Sequence, residues 1–222
     1  MTTRRTLLLG LLIAAFAPSA HAQTTPPPAR AEKFGVELEG GYADLTGSHR
    51  SAEAVFDGAS GSGTFGGAFR FVHKKGFYVT GGARTWSKDG ERVFVATQTG
   101  PIQRLGFPLS VRLVPITATV GYRFRRNRTI VPYAGVGGGV TLYREESEVA
   151  GETHDDSRSA GTFVGEAGVE YGRKSFRFAV EGTYSIAPNG AGVAGVSRVY
   201  GEDDIGGWAV LGKVVYVFGK QP

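Results

Sequence analysis

The chain contains no cysteine in its 222 residues. No disulfide can staple the fold, and no cysteine follows the N-terminal apolar run to carry a lipid anchor. Long apolar runs are missing as well. Past the N-terminus, nothing approaches the roughly 18 consecutive apolar residues that a membrane-spanning helix requires. Histidine is scarce, with four residues: His21, His49, His73 and His154. Weighed against the geometry of a nucleophile–base pair, so few bases argue against an enzyme. Charge of one sign is also in short supply. The formal net charge is +5, of which Arg4 and Arg5 supply two. The remaining excess is a solvated surface and excludes a strongly basic nucleic-acid face.

What the chain does have begins at the N-terminus. Arg4 and Arg5 precede the short apolar run Leu7 to Phe16, and Ala20-His21-Ala22 is a small-x-small cleavage site. Residues 1–22 therefore form an expected signal peptide, with Gln23 as the first mature residue. Residues 23–32 carry Pro26-Pro27-Pro28, an extended linker. The folded domain is expected over 33–219, with 220–222 as a tail. An exported chain without a membrane helix resides in the periplasm, outside the cell, or in an outer membrane crossed by strands.

The stretch Pro115 to Phe124 decides between these. Ile116, Ala118, Val120, Tyr122 and Phe124 fall on one side, and Thr117, Thr119, Gly121 and Arg123 on the other. Strand side chains alternate between faces, so this ribbon has one apolar and one polar face. Its apolar face ends in two aromatics beside the basic turn Arg125-Arg126-Asn127-Arg128, where lipid headgroups are natural counter-ions. The pattern recurs in ribbons at 34–42, 64–72, 77–86, 109–124, 131–143, 162–171, 176–186 and 205–218. Tyr78 and Trp86 fall on the polar parity of theirs. Leu109, Val111 and Leu113 have the opposite parity from Ile116 onward, so a bulge is expected at Pro115. Long connections follow the first, third, fifth and seventh ribbons, and short ones the second, fourth and sixth. Residues 43–63, 87–108, 144–159 and 187–204 are expected as loops, with strand possible at 92–97.

The fold class that follows is all-β: an eight-stranded antiparallel up-and-down transmembrane β-barrel, apolar outside and polar within. A soluble lipocalin-like barrel would reverse the faces and crowd aromatics into a lumen barely wide enough for side chains. In the membrane barrel, Glu37, Glu39, Glu166, Glu170 and Glu181 point inward with Arg70, Arg84, Arg123, Arg177 and Lys213. The signs balance, which suits a mutually paired plug. A tight turn at Arg173-Lys174 predicts Tyr171 opposite Phe176, Glu170 opposite Arg177, and Glu166 opposite Glu181 with Lys213 as the nearest cation. The glycine-rich run Gly135 to Val140 is expected to pack backbone closely in a narrow barrel, not to cradle phosphate. His154-Asp155-Asp156 is expected as an ordinary acidic loop cluster, so no metal or other cofactor is expected.

The signal peptide, the eight ribbons, the strand Pro115 to Phe124 and the strand starting Pro132-Tyr133-Ala134-Gly135-Val136-Gly137 together resemble the small outer-membrane β-barrel family, the OmpA/OmpX/OmpW-like barrels. The resemblance covers Phe34 to Phe218. It implies an outer-membrane location, lipid contact, and assembly by the barrel-assembly machinery through the aromatic end of the last strand, here Tyr216 and Phe218. It also implies long extracellular loops in a structural or surface-interaction role, with an unidentified extracellular ligand. A narrow channel for small or apolar solutes is the alternative.

Overall fold

The structure, a computed structural model, describes residues 33–124, 129–149, 151–173, 175–191 and 195–218. The expected signal peptide, linker, tail and the basic turn Arg125-Arg126-Asn127-Arg128 lie outside them. Eight strands follow one another: β1 (Lys33–Asp44), β2 (Gly61–Val72), β3 (Phe77–Phe94), β4 (Gln103–Arg123), β5 (Ile130–Val149), β6 (Glu152–Arg173), β7 (Phe176–Ile186) and β8 (Gly207–Phe218). Each pairs antiparallel with the next, and β8 pairs back onto β1 to close the barrel. Closure leaves no unpaired edge, the condition for strands in hydrocarbon.

Neighbouring exposures fix which face is which. Phe69 is 75% exposed while Arg70 beside it is 3% exposed, and Val214 is 42% exposed while Val215 is 1%. Apolar side chains therefore line the outside and charged ones the inside, which overturns the lipocalin-like alternative. At the end where β1 begins and β8 finishes, aromatic rings form an outer girdle. Phe34 meets Phe71 at 5.0 Å, Phe77 meets Tyr122 at 5.2 Å, Phe176 meets Tyr216 at 4.9 Å, and Tyr216 meets Phe218 at 4.8 Å. Tyr42 and Trp208, centroids 5.8 Å apart, stand toward the other end of the same surface. Rings at both ends of an apolar band are the mark of a barrel seated between two water boundaries.

The strands outrun the sequence expectation at the end bearing the long connections. The stretch 144–159, expected as a loop, is the far part of a β5–β6 hairpin that pairs from Ile130↔Tyr171 to Val149↔Glu152. Within 87–108, β3 runs to Phe94 and β4 starts at Gln103, so 92–94 are strand and 95–97 are not. Two connections contain helix: α1 (His49–Val55) between β1 and β2, and α2 (Gly195–Tyr200) between β7 and β8.

The expected bulge at Pro115 is absent. Pro115 pairs with Thr141 in unbroken register with β5. The ladder to β3 lapses instead across Arg84 and Thr85, opposite a proline that has no N–H to give. The register shift lies further on, between Glu91 and Val93. Leu109, Val111 and Leu113 keep the inward parity of Thr119 and Arg123 and are buried. Beyond the membrane the barrel interior itself turns apolar, and these residues form a core with Ala52 on α1, Phe56 just after it, and Trp86.

Candidate functional site

All ten charged side chains singled out in the sequence turn into the barrel, where the strand alternation aims them at one another. Glu170 on β6 is the centre of one group. Its carboxylate pairs with Arg123 and Arg177 at 2.7 Å each and with Arg70 at 3.0 Å. Arg70 also pairs with Glu37. Lys213 on β8 is the centre of the second group, with its Nζ 2.7 Å from Glu181, 3.2 Å from Glu39 and 3.5 Å from Glu37. Arg84 lies 3.9 Å from Glu39 and donates to Thr183 at 3.5 Å. Glu37, paired with both Arg70 and Lys213, joins the two groups. Charges removed from water are tolerable only when paired in this way.

Glu166 stands outside the ion-pair chain. Its Oε1 accepts from the Tyr78 hydroxyl at 2.6 Å and the Thr119 hydroxyl at 3.1 Å. The predicted Glu166–Glu181 confrontation does not occur. The β6–β7 register is displaced by two residues, with Tyr171 opposite Phe178 and Glu166 opposite Thr183. Glu170 lies across from Ala179 and reaches Arg177 diagonally. The displacement separates the two carboxylates and gives each its own donor.

Sequence reasoning missed the part played by two tyrosines. Tyr133 donates to Glu181 at 2.8 Å. The Arg70 guanidinium lies 5.2 Å from the Tyr78 ring and 5.3 Å from the Tyr133 ring, and the rings meet edge-on at 5.9 Å. The cation is thus held between two π-faces as well as between carboxylates. The signal was present: an aromatic on the polar parity of a strand needs room across the lumen. Gly121 and Gly135 provide it, because a Cβ at either position would collide with the Tyr78 ring or hydroxyl. Beyond the paired groups, the barrel interior holds voids of about 50, 30 and 10 Å³. Such spaces admit isolated waters, not a solute.

The end carrying the long connections is built differently. Phe56 packs edge-on to Trp86 at 5.9 Å, and the Trp86 indole N–H donates to the Ala43 carbonyl at 3.3 Å. The connection between β7 and β8 holds α1 in place. Glu202 accepts from the Arg50 and Ser51 backbone N–H groups at 3.1 and 2.8 Å and from the Ser51 hydroxyl at 2.6 Å. A carboxylate from a distant loop thereby satisfies the helix's orphan donors. Asp204 accepts from the Ala187 and Gly206 N–H groups at 2.6 and 2.7 Å. Between α1, β4, the β5–β6 hairpin and α2 lies a cavity of about 400 Å³. Its floor is Leu109, Val111 and Leu113, and charged Arg92, Glu145, Asp155, Asp156 and Arg158 stand around it.

His154-Asp155-Asp156 does not converge on one point. All three line the cavity, but Asp155 is taken by Arg144 at 2.7 Å and Asp156 by Arg158. The Asp155 carboxylate holds the Arg144 guanidinium further in its charged form, pushing its pKa up. Among the described residues, no three acidic or histidine side chains are grouped to hold a metal. Ser51, two residues after His49, has its hydroxyl taken by Glu202. Folding brings His49 Nδ1 within 3.1 Å of Ser60 Oγ and its Nε2 within 3.2 Å of Glu53. Ser60 in turn donates to Asp44 at 2.9 Å and is buried, so its proton is directed away from the histidine.

Comparison with known proteins bears on this architecture. Residues 7–218 match the outer membrane protein beta-barrel domain family. No curated protein matches the sequence. Neisserial surface protein A aligns with a TM-score of 0.50 at 14% identity, over 85% of this chain and 100% of the other. A major outer membrane protein from Thermus thermophilus aligns at 0.51 and 14%, over the same shares. The Escherichia coli outer membrane protein W aligns at 0.47 and 15%, over 85% of this chain and 98% of the other. At such identities the likeness is one of fold.

Proposed function

The chain belongs to the outer membrane protein beta-barrel domain family, and on that premise we propose that it is a closed, surface-interaction barrel and not a channel or an enzyme. Its place is the outer membrane. The connections between β1 and β2, β3 and β4, β5 and β6, and β7 and β8 face outward from the cell, where the end they form meets ligands. The turn end faces the periplasm, with the aromatic finish of β8 at Tyr216 and Phe218 as the feature handed to the barrel-assembly machinery.

The observation that carries this reading is the double closure of the lumen. Buried ion pairs running from Arg123 through Glu170, Arg70, Glu37 and Lys213 fill one half. The apolar core around Trp86 and Phe56 fills the other. A permeant ion would have to break several desolvated pairs and then cross a greasy plug, each step costing several kcal/mol. The balanced signs of the lumen charges also offer no selective site for either kind of ion.

The test is conductance of the refolded barrel in a planar bilayer at neutral pH. Silence is expected, with channels appearing once Glu170→Gln and Lys213→Met are combined. Steady conductance by the unaltered protein would replace this reading with the narrow channel.

A further inference from the structure

We infer that the outer mouth of the barrel is a binding site for a small amphipathic anion, an acyl chain ending in a carboxylate. The inference rests on the surface-interaction reading and names the chemistry of its ligand. The cavity of about 400 Å³ falls in the range that holds small-molecule ligands, and it joins an apolar floor to polar walls. Leu109, Val111 and Leu113 supply the floor. They belong to an inner strand face that is apolar only here, above the charged lumen.

The polar groups decide the sign of the ligand. Of the acids that line it, Asp156 pairs with Arg158 and Asp155 with Arg144. Glu145 accepts from the Tyr143 hydroxyl at 2.5 Å. Arg92 is different: among the described residues it has no ion pair, although it lines the cavity and is half-buried. The reason lies in the register shift between Glu91 and Val93. There Glu91 is drawn to the other strand of its hairpin, accepting from the Gly106 N–H at 2.5 Å and standing 3.6 Å from Arg104. Arg104 also takes Asp57 at 2.7 Å. Glu91, the acid next to it in sequence, is thus committed to Arg104, and among the described residues Arg92 remains a cation without an ion pair beside an apolar floor. A carboxylate suits a guanidinium fork, and an acyl chain suits the leucine and valine floor.

The barrel is placed in lipid nanodiscs, avoiding detergent that would compete for the site, and titrated with decanoate, decanol and decyltrimethylammonium. Methyl resonances of Leu109, Val111 and Leu113 report the cavity itself and not partition into the bilayer. Decanoate should shift these methyls saturably, and decyltrimethylammonium should do so weakly or not at all. Arg92→Gln should weaken decanoate about tenfold or more while leaving decanol unchanged. Arg112→Gln, at an exposed position outside the cavity lining, should leave decanoate binding in place, and Val93→Trp should crowd out decanoate and decanol alike. Folding of each variant is checked by its altered mobility on unheated gels. Methyls that stay silent, decanoate affinity unchanged in Arg92→Gln, or preference for the cationic probe would each overturn the site. Conductance of the unaltered protein would sink the closed-barrel reading without moving a methyl resonance, so the two failures are distinguishable.

Discussion

Replacing Lys213 by methionine is the sharpest probe of the lumen. The ammonium lies within 3.5 Å of three carboxylates, those of Glu37, Glu39 and Glu181. At an effective dielectric constant of about 20, a contact at that range carries about 5 kcal/mol of gross attraction, most of it offset by desolvating the ions. Methionine keeps the length and the packing but withdraws the charge. Among the described residues, Glu37 then retains only Arg70, Glu181 only the Tyr133 hydroxyl, and Glu39 only Arg84 at 3.9 Å. Breaking a buried pair by removing one partner costs about 3–5 kcal/mol, and the small voids nearby place this site at the lower end. Urea unfolding from lipid vesicles, followed by tryptophan fluorescence, should show the folding constant reduced about a hundredfold. Adding Glu181→Gln to Lys213→Met removes one orphaned charge and should restore about 1–2 kcal/mol. In the unaltered barrel Glu181→Gln alone should be destabilising, so the two changes should couple with opposite sign to additivity. A Lys213→Met barrel as stable as the parent, or a double variant weaker than the sum of its parts, would refute the network as the source of lumen stability.

Other expectations test the remaining parts of the fold. Val214→Arg puts a cation on the lipid face and should cost about 2–4 kcal/mol, blocking assembly into vesicles. Val217→Arg, on the inner parity near the turn end, should assemble, and equal failure at both sites would contradict the register. Tyr78→Phe removes the 2.6 Å donor to Glu166 and should cost about 1.5–3 kcal/mol by the same urea assay, since the acceptor is charged and inside the barrel. Gly135→Val should be worse than Gly138→Val, because only the former meets the Tyr78 hydroxyl; comparable folding yields would show that the ring can move aside. Glu202→Ala removes the acceptor from the α1 N–H groups and should cost about 0.5–2 kcal/mol locally, visible as faster hydrogen exchange at Arg50 and Ser51 with the barrel strands unchanged.

The barrel is legible because lipid imposes one rule over every strand it touches. Phe69 beside Arg70 and Val214 beside Val215 are alternations that a single residue of slip would invert. Pairing inside is less legible. Alternation says which face a residue takes, not which residue stands across from it. A displacement of two preserves every parity, so a tight-turn register puts Glu166 opposite Glu181 when it faces Thr183. Only the donors on other strands, Tyr78 and Thr119 for Glu166 and Lys213 for Glu181, separate the two registers, and they come from distant parts of the chain. The helices are hidden for another reason. At seven and six residues, α1 and α2 are too short to hold themselves by propensity. Contacts such as Glu202 to Ser51 and the stacking of Arg50 on Tyr200 at 4.3 Å hold α1, and they join segments far apart in sequence.

Strand β4 shows why Pro115 misleads. From Ile116 to Tyr122 the apolar parity is even and faces lipid; from Leu109 to Leu113 it is odd and faces inward. A strand wholly in the membrane could make that change only through a bulge. This one makes it by leaving the membrane. Arg112 takes the outward parity that Ile116 held lower down, and it is exposed. Opposite it in the ladder is Arg144 of β5, also exposed. Where water replaces lipid outside, charge can stand there, and the apolar side chains are better buried within, as in any soluble core. The inversion of pattern therefore marks the upper boundary of the bilayer, between Arg112 and Ile116. It also explains why the barrel can be filled with ion pairs at one level and carry an apolar, ligand-sized cavity at the next. The same strands pass through two solvents, and each solvent chooses which face is greasy.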